Sequence, residues 1–174
     1  AKIVGVKTCE AYKKQLNSNF VSVMPTNLYG PNDNFNLETS HVPAALIDRF
    51  HKAKLYKESD VIIWGDGKPY REFMHVDDFA DACIFILKNY NDFEIINVGT
   101  GNDISIKEFA YLIKEIVNYD GNVLFDKSKP TGTKKKLLDI SKLRDIGWKS
   151  KINLKSGLKD YYEWYLSNFN NLRR

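Results

Sequence analysis

Short β-branched runs alternate along this chain with stretches of helical periodicity. That alternation restricts it to layered α/β architectures. The runs are FVSVMP (20–25), VIIWG (61–65), EIINVGTG (94–101) and NVLFD (122–126). Proline or glycine closes the first three, which marks strand ends. FVSVMP reads as a buried strand. Helical stripes fill the intervals. Residues 2–16 carry Ile3, Val6, Cys9 and Tyr12, and the next helix carries Val42, Leu46, Phe50 and Ala53. A later one carries Ile106, Phe109, Ala110, Ile113 and Val117, and the last carries Leu158, Tyr162, Tyr165 and Phe169. A short helix is expected near 141–146.

Local chemistry sharpens the boundaries. SIKE (105–108) has the form of a capping box, with Ser105 as N-cap and Glu108 three residues on. REFMHVDDFADACIFILK (71–88) passes from an extended segment into a helix whose start Asp77 and Asp78 favour. TNLYGPNDNFNLETS (26–40) is rich in Asn, Gly and Pro and reads as a long ordered loop, with Ser40 placed to cap the helix behind it. Long loops in compact domains are often functional.

At 174 residues and 43% hydrophobic, the chain is large enough for one domain with its own core. No apolar run is long enough to span a membrane. Cys9 and Cys83 lie far apart in helical stripes and read as reduced core thiols of a cytosolic protein. The net charge of +4 concentrates in TGTKKK (131–136) and Arg173–Arg174. So short a basic cluster suits a polyphosphate better than a nucleic-acid track, and no aromatic–basic interleaving argues for nucleic acid. A dinucleotide-binding sheet needs a Gly-rich turn after its first strand, and none lies within these residues. VGTGND is the nearest approach and reads as a strand-end turn.

SVMPTNLYGPNDNF (22–35) resembles the GDP-L-fucose synthases, NADPH-dependent epimerase-reductases of the extended short-chain dehydrogenase/reductase superfamily. SHV (40–42), VIIWGDGKPYREFMHVDD (61–78), NVGTG (97–101) and FDKSKPTGTKKKLLD (125–139) continue the likeness in order. AKIVG, at the start, matches that family from the lysine of its Tyr-x-x-x-Lys motif onward. The resemblance implies that residues 1–174 are one C-terminal segment of a larger enzyme. It would hold the last strands and helices of a Rossmann-type sheet plus a small α/β substrate-binding domain. The other half would supply the Gly-rich loop, the catalytic serine and tyrosine, and a cysteine acid/base. The 174 residues alone are then expected to be inactive.

Roles follow residue by residue from the same resemblance. Lys2 is the motif lysine, which holds the nicotinamide ribose and lowers the pKa of the tyrosine. Pro25, Thr26, Asn27 and Leu28 line the nicotinamide at a strand's carboxyl end, where doubly wound folds bind ligands. His41 is implied both in the cofactor site and as the proton-transfer partner of the cysteine, since imidazole delivers protons near neutral pH. Arg49, Trp64, Arg71, Thr131 and Lys136 fall on nucleotide-sugar contact positions. Arg49 follows His41 by about two helical turns, so both are expected on one cleft. Arg49, Arg71 and Lys136 are expected to converge on the diphosphate. His51 and His75 read as structural. Thr131 stands where the family has aspartate, which leaves the sugar open.

The implied activity is 3,5-epimerisation and 4-reduction of a GDP-4-keto-6-deoxy-hexose, with NADPH (NADP) as cofactor, in a cytoplasmic homodimer joined through the helix over 2–16. Neither nucleic acid nor membrane is expected as a partner. Two rivals stay open: a GDP-4-keto-6-deoxy-heptose C4 reductase of the same family, and a non-catalytic nucleotide-sugar-binding module.

Overall fold

Helices and strands alternate as those periodicities require, in a computed structural model that describes residues 1–36 and 38–174. Leu37, inside the loop read at 26–40, lies outside the described residues. The order is α1 (Lys2–Leu16), β1 (Val23–Pro25), β2 (Asn27–Tyr29), α2 (Val42–Leu55), β3 (Asp60–Trp64), β4 (Tyr70–Arg71) and β5 (Phe73–His75). There follow α3 (Val76–Asn89), β6 (Ile96–Val98), β7 (Ile104–Ser105), α4 (Ile106–Val117), β8 (Asn122–Asp126), β9 (Lys135–Lys136), α5 (Ser141–Asp145) and α6 (Leu154–Ser167). Three parallel pairs stand by themselves: β1 with β6, β2 with β5, and β3 with β8. Parallel partners need crossover connections, and the helices supply them. β4 lies between antiparallel β7 and parallel β9.

Two apolar clusters form the interior. One gathers α2, α4 and α6 with β3, around Phe50, Phe109, Leu158 and Tyr165. The other joins α3, β6 and the α5 region through Ile86, Ile96, Leu143 and Trp148. β5 is the wall between them, because successive strand residues face opposite sides. Phe73 stacks on Phe109 in the first cluster, with centroids 4.1 Å apart, and Met74 enters the second.

The run from Arg71 to Asp78 ties a different segment at almost every residue. The Glu72 carboxylate, fully buried, accepts from the backbone N–H groups of Gly101 (2.7 Å) and Leu138 (3.1 Å). His75 caps α3 by accepting from Asp77 N. Asp78, also buried, accepts from Lys151 N and Ile152 N and so holds the approach to α6. Ser105 and Glu108 form the capping box read from SIKE. His51 bonds Tyr162 Oη at 2.9 Å, and burial pulls its pKa down.

Several local readings are corrected by tertiary pairing. The 26–40 stretch is not all loop, because Asn27–Tyr29 forms β2 against β5. FVSVMP yields only the three residues of β1, and these are partly to largely exposed, since β1 pairs with β6 alone among the described residues. EIINVGTG likewise yields only Ile96–Val98. His41, not Ser40, is the N-cap of α2, with no side-chain cap bond. Val42 leaves the buried stripe at 41% exposure, while the next two residues, Pro43 and Ala44, are buried in its place. Phe169 falls in a 3-10 turn after α6 has ended. Cys9 and Cys83 are free and partly buried rather than core thiols.

Gly157 gives one test of this packing. A Cβ there would lie 2.4 Å from Tyr29 Oη and 2.8 Å from Ile152 Cγ2. Alanine in a helix interior normally gains about 1 kcal/mol over glycine. Here overpacking reverses the sign, and Gly157→Ala is expected to destabilise by about 1–3 kcal/mol. Urea unfolding reads this directly, and a raised midpoint would contradict the tight approach of Tyr29 to α6.

Candidate functional site

At the end of β1 the chain steps from one parallel pair to the other, and the step builds a wall. Thr26 N donates to Val98 O, which keeps the wall on β6. Thr26 Oγ1 and Asn27 Nδ2 both donate to Glu72 O, at 3.1 and 2.8 Å. The Thr26 hydroxyl hydrogen and one of the two Asn27 amide hydrogens are thus used within the protein, where they shape the wall. After β2 the chain turns at Gly30, with φ +146°, where a Cβ would lie 2.6 Å from Val76 Cγ1. The loop beyond leads to His41.

These turns enclose an open cleft of about 480 Å³. Lys2, Pro25, Thr26, Asn27, Leu28 and His41 all line it. Six residues drawn from three separate stretches of sequence thus meet at one place. Asp33, which sequence reasoning did not single out, lies on the same wall. Its carboxylate accepts from Asn34 N (2.7 Å) and from the hydroxyl of buried Tyr161 (3.2 Å). The cleft thus carries an ammonium, an imidazole and a carboxylate. It can hold a polar ligand and move a proton.

A second group of residues gathers where the turn after β3 meets the segment leading into β9. Trp64, at the end of β3, is 67% exposed, so it is not the core residue that a strand-end tryptophan often is. Lys129 Nζ stands over its ring, 5.6 Å from the centroid. Gly65, with φ +87°, brings the next turn against the Thr131 backbone. Arg71 Nη1 donates to Tyr70 O and to Thr133 O, at 2.7 and 2.8 Å. Arg71 and Lys136 are register partners across β4 and β9. Arg71, Thr131 and Lys136 are therefore brought together beside the Trp64 turn. A planar apolar face beside two cations matches what a nucleoside diphosphate requires.

Arg49 departs from the expectation. It lines a separate recess with Asp48 and Ser40, not the cleft that holds His41. His41 is an extended N-cap residue (φ −76°, ψ 161°), so helical phase does not carry it onto the face of Arg49. Arg49 Nη1 donates to Ile62 O at 2.6 Å, which ties it to β3 two residues before Trp64 rather than to Arg71 or Lys136. Burial pulls its pKa down, while the neighbouring Asp48 opposes that shift.

Glu72 is the other residue that sequence reasoning passed over. Its carbonyl holds the cleft wall, and its carboxylate holds Leu138, two residues beyond Lys136. Glu72 therefore links the two regions. The one available signal was its place between Arg71 and Phe73 in a strand, since a buried carboxylate looks like any surface glutamate in sequence.

Comparison with known proteins places these features. The sequence profile of the NAD dependent epimerase/dehydratase family matches residues 1–99. A putative GDP-L-fucose synthase 2 of Arabidopsis thaliana is 54% identical over 168 residues, covering 97% of this chain and 51% of the relative. The chain thus spans about half the length of the curated relatives it matches. The crystal structure of a GDP-6-OMe-4-keto-L-xylo-heptose reductase from C. jejuni superposes with a TM-score of 0.91 at 38% identity, covering 97% of this chain and 60% of that one. A GDP-L-fucose synthetase from Naegleria fowleri bound to NADP superposes at 0.90 with 32% identity, covering 97% and 55%. Among the described residues no helix is long and apolar enough to cross a membrane.

Proposed function

Because this chain belongs to the NAD dependent epimerase/dehydratase family, we propose that it is the C-terminal, substrate-binding half of an NADPH-dependent GDP-4-keto-6-deoxy-hexose 3,5-epimerase/4-reductase. The observation that carries this reading is the meeting of Lys2 and His41, distant in sequence, on one cleft with Pro25–Leu28 between them. The residues present fit a nicotinamide cofactor: a cation at one end, an apolar and backbone wall, and open volume. NADPH, when bound, supplies the hydride that reduces the C4 ketone.

The chain's own residues do the rest. Lys2 holds ribose hydroxyls and lowers the pKa of a tyrosine acid by its charge. Pro25–Leu28 orient the ring and exclude water from its face. A ketone at C4 acidifies the protons at C3 and C5. His41 delivers or accepts a proton on one face of the sugar, and a second group serves the other. Arg71 and Lys136 hold the diphosphate, while Trp64 and Thr131 meet the base or sugar. Arg49, bonded to Ile62 O, supports β3 behind Trp64 rather than joining the diphosphate cations.

We place the full protein in the cytoplasm as a homodimer joined through α1. Ile3, Val4 and Leu16 stand 80%, 68% and 67% exposed on that helix, which fits an apolar contact. A second reading, a GDP-heptose C4 reductase, draws support from the close superposition on the heptose reductase and from Thr131 in place of an aspartate.

The test is the full-length protein with NADPH and a GDP-4-keto-6-deoxy-hexose in D₂O. Oxidation of NADPH with deuterium at C3 and C5 is expected. Oxidation without that label would favour the reductase reading, and no oxidation would leave only a binding module. For the diphosphate site, Arg71→Ala is expected to weaken GDP-sugar binding about tenfold to a hundredfold. NADPH affinity should be nearly unchanged, with both measured by calorimetry. Loss of NADPH binding with GDP-sugar binding kept would mean that the two regions are assigned the wrong way round.

A further inference from the structure

α6 holds the chain at two points that bracket His41, one in the loop after Gly30 and one on α2. Tyr161 and Tyr165 lie one turn apart on α6, and both are fully buried. The Tyr161 hydroxyl donates to Asp33, eight residues before His41, and the Tyr165 hydroxyl donates to Asp48, seven residues after it. Between these anchors Phe35 packs against both tyrosines, with centroids 5.9 and 5.2 Å away. Phe35 N also donates to Arg173 O at 2.8 Å. Burial, with the carboxylates close by, pushes both hydroxyls well above the ordinary tyrosine range, so they stay donors at neutral pH. On the cleft wall Asn32 turns the chain at φ +67°, the left-handed region that asparagine tolerates better than other side chains. His41 itself has no cap bond, so its place depends on the backbone at either side.

We propose that Tyr161 is a positioning residue for the cleft: through Asp33 it sets the path of the 30–41 loop, and so the point from which His41 exchanges a proton with substrate. This rests on the function proposed above. The plain alternative is that the Tyr161–Asp33 bond contributes to stability alone. The two differ in what a single missing oxygen would change.

Tyr161→Phe keeps the ring and its packing and removes only the donor. In the full-length protein, backbone amides in 32–36 and 38–41 should exchange with D₂O about tenfold faster, while those of α4 are unchanged. Deuterium incorporation at C3 and C5 of the sugar should fall about tenfold, with NADPH affinity kept. Asp33→Ala should speed exchange of the same loop amides, and in that readout the double variant should lose no more than the worse single one. Asp33→Asn keeps an oxygen for the Tyr161 hydroxyl and should restore both readouts toward wild type. It serves as the comparison if Tyr161→Phe fails to fold. Unchanged loop exchange overturns the proposal. So does a loosened loop with wild-type labelling of the sugar, or an additive double variant. If the wild-type protein labels no sugar, the proposed function is what fails. The amide measurement still decides whether Tyr161 holds the loop.

Discussion

His41→Gln in the full-length protein is expected to slow deuterium incorporation at C3 and C5 of the GDP-4-keto sugar by about 10²–10⁴-fold. The chemistry needs a proton delivered to a ring carbon, and glutamine has none to exchange near neutral pH. Reduction at C4 draws its proton from another group, so NADPH oxidation with an already epimerised ketone should fall far less. Folding should be nearly unaffected, because His41 caps α2 without a side-chain bond. The measurement is therefore clean: lost labelling with an unchanged melting temperature. Unchanged labelling would remove His41 from proton transfer and leave it as a wall of the cleft.

Glu72→Ala is expected to cost about 2–6 kcal/mol of stability. It removes the acceptor of the part-buried N–H groups of Gly101 and Leu138, at about 1–3 kcal/mol for each donor left unsatisfied. That is a large share of the 5–15 kcal/mol typical of a domain. Glu72→Gln keeps one acceptor oxygen and should lose less. The site around the carboxylate is close-fitting, since a Cβ on Gly99 would lie 2.4 Å from Glu72 Oε1. Gly99→Ala should therefore mimic part of the loss. Denaturant unfolding of the three variants gives the order. A Glu72→Ala protein as stable as wild type would mean that water or a shifted loop replaces the carboxylate.

Much of the candidate site was legible before any fold was known. Lys2, Pro25–Leu28 and His41 came from motif position, and they meet on one cleft. Arg71 and Lys136 came the same way, and they prove to be register partners. Arg49 is the exception. Its spacing from His41 assumed that both residues were in helical phase, but the N-cap is not. The residues left unnoticed, Glu72, Asp33 and Tyr161, share one property. Each works through a bond to a segment far away in sequence. Sequence windows carry no trace of such a bond.

The sequence by itself determined what short-range physics controls. Helical stripes and the Ser105–Glu108 capping box act within a turn or two, so their outcome is written locally. Tertiary structure alone decided the two- and three-residue strands β2, β4, β7 and β9. Segments that short have no intrinsic preference strong enough to declare them, and they exist because a distant backbone offers the partner hydrogen bonds. It also decided burial where periodicity misled. Val42 fits its stripe yet stays exposed, while Glu72 is an acidic residue yet buried completely. A carboxylate leaves water only when donors are waiting for it, and the fold brings those donors from residues 101 and 138 to residue 72.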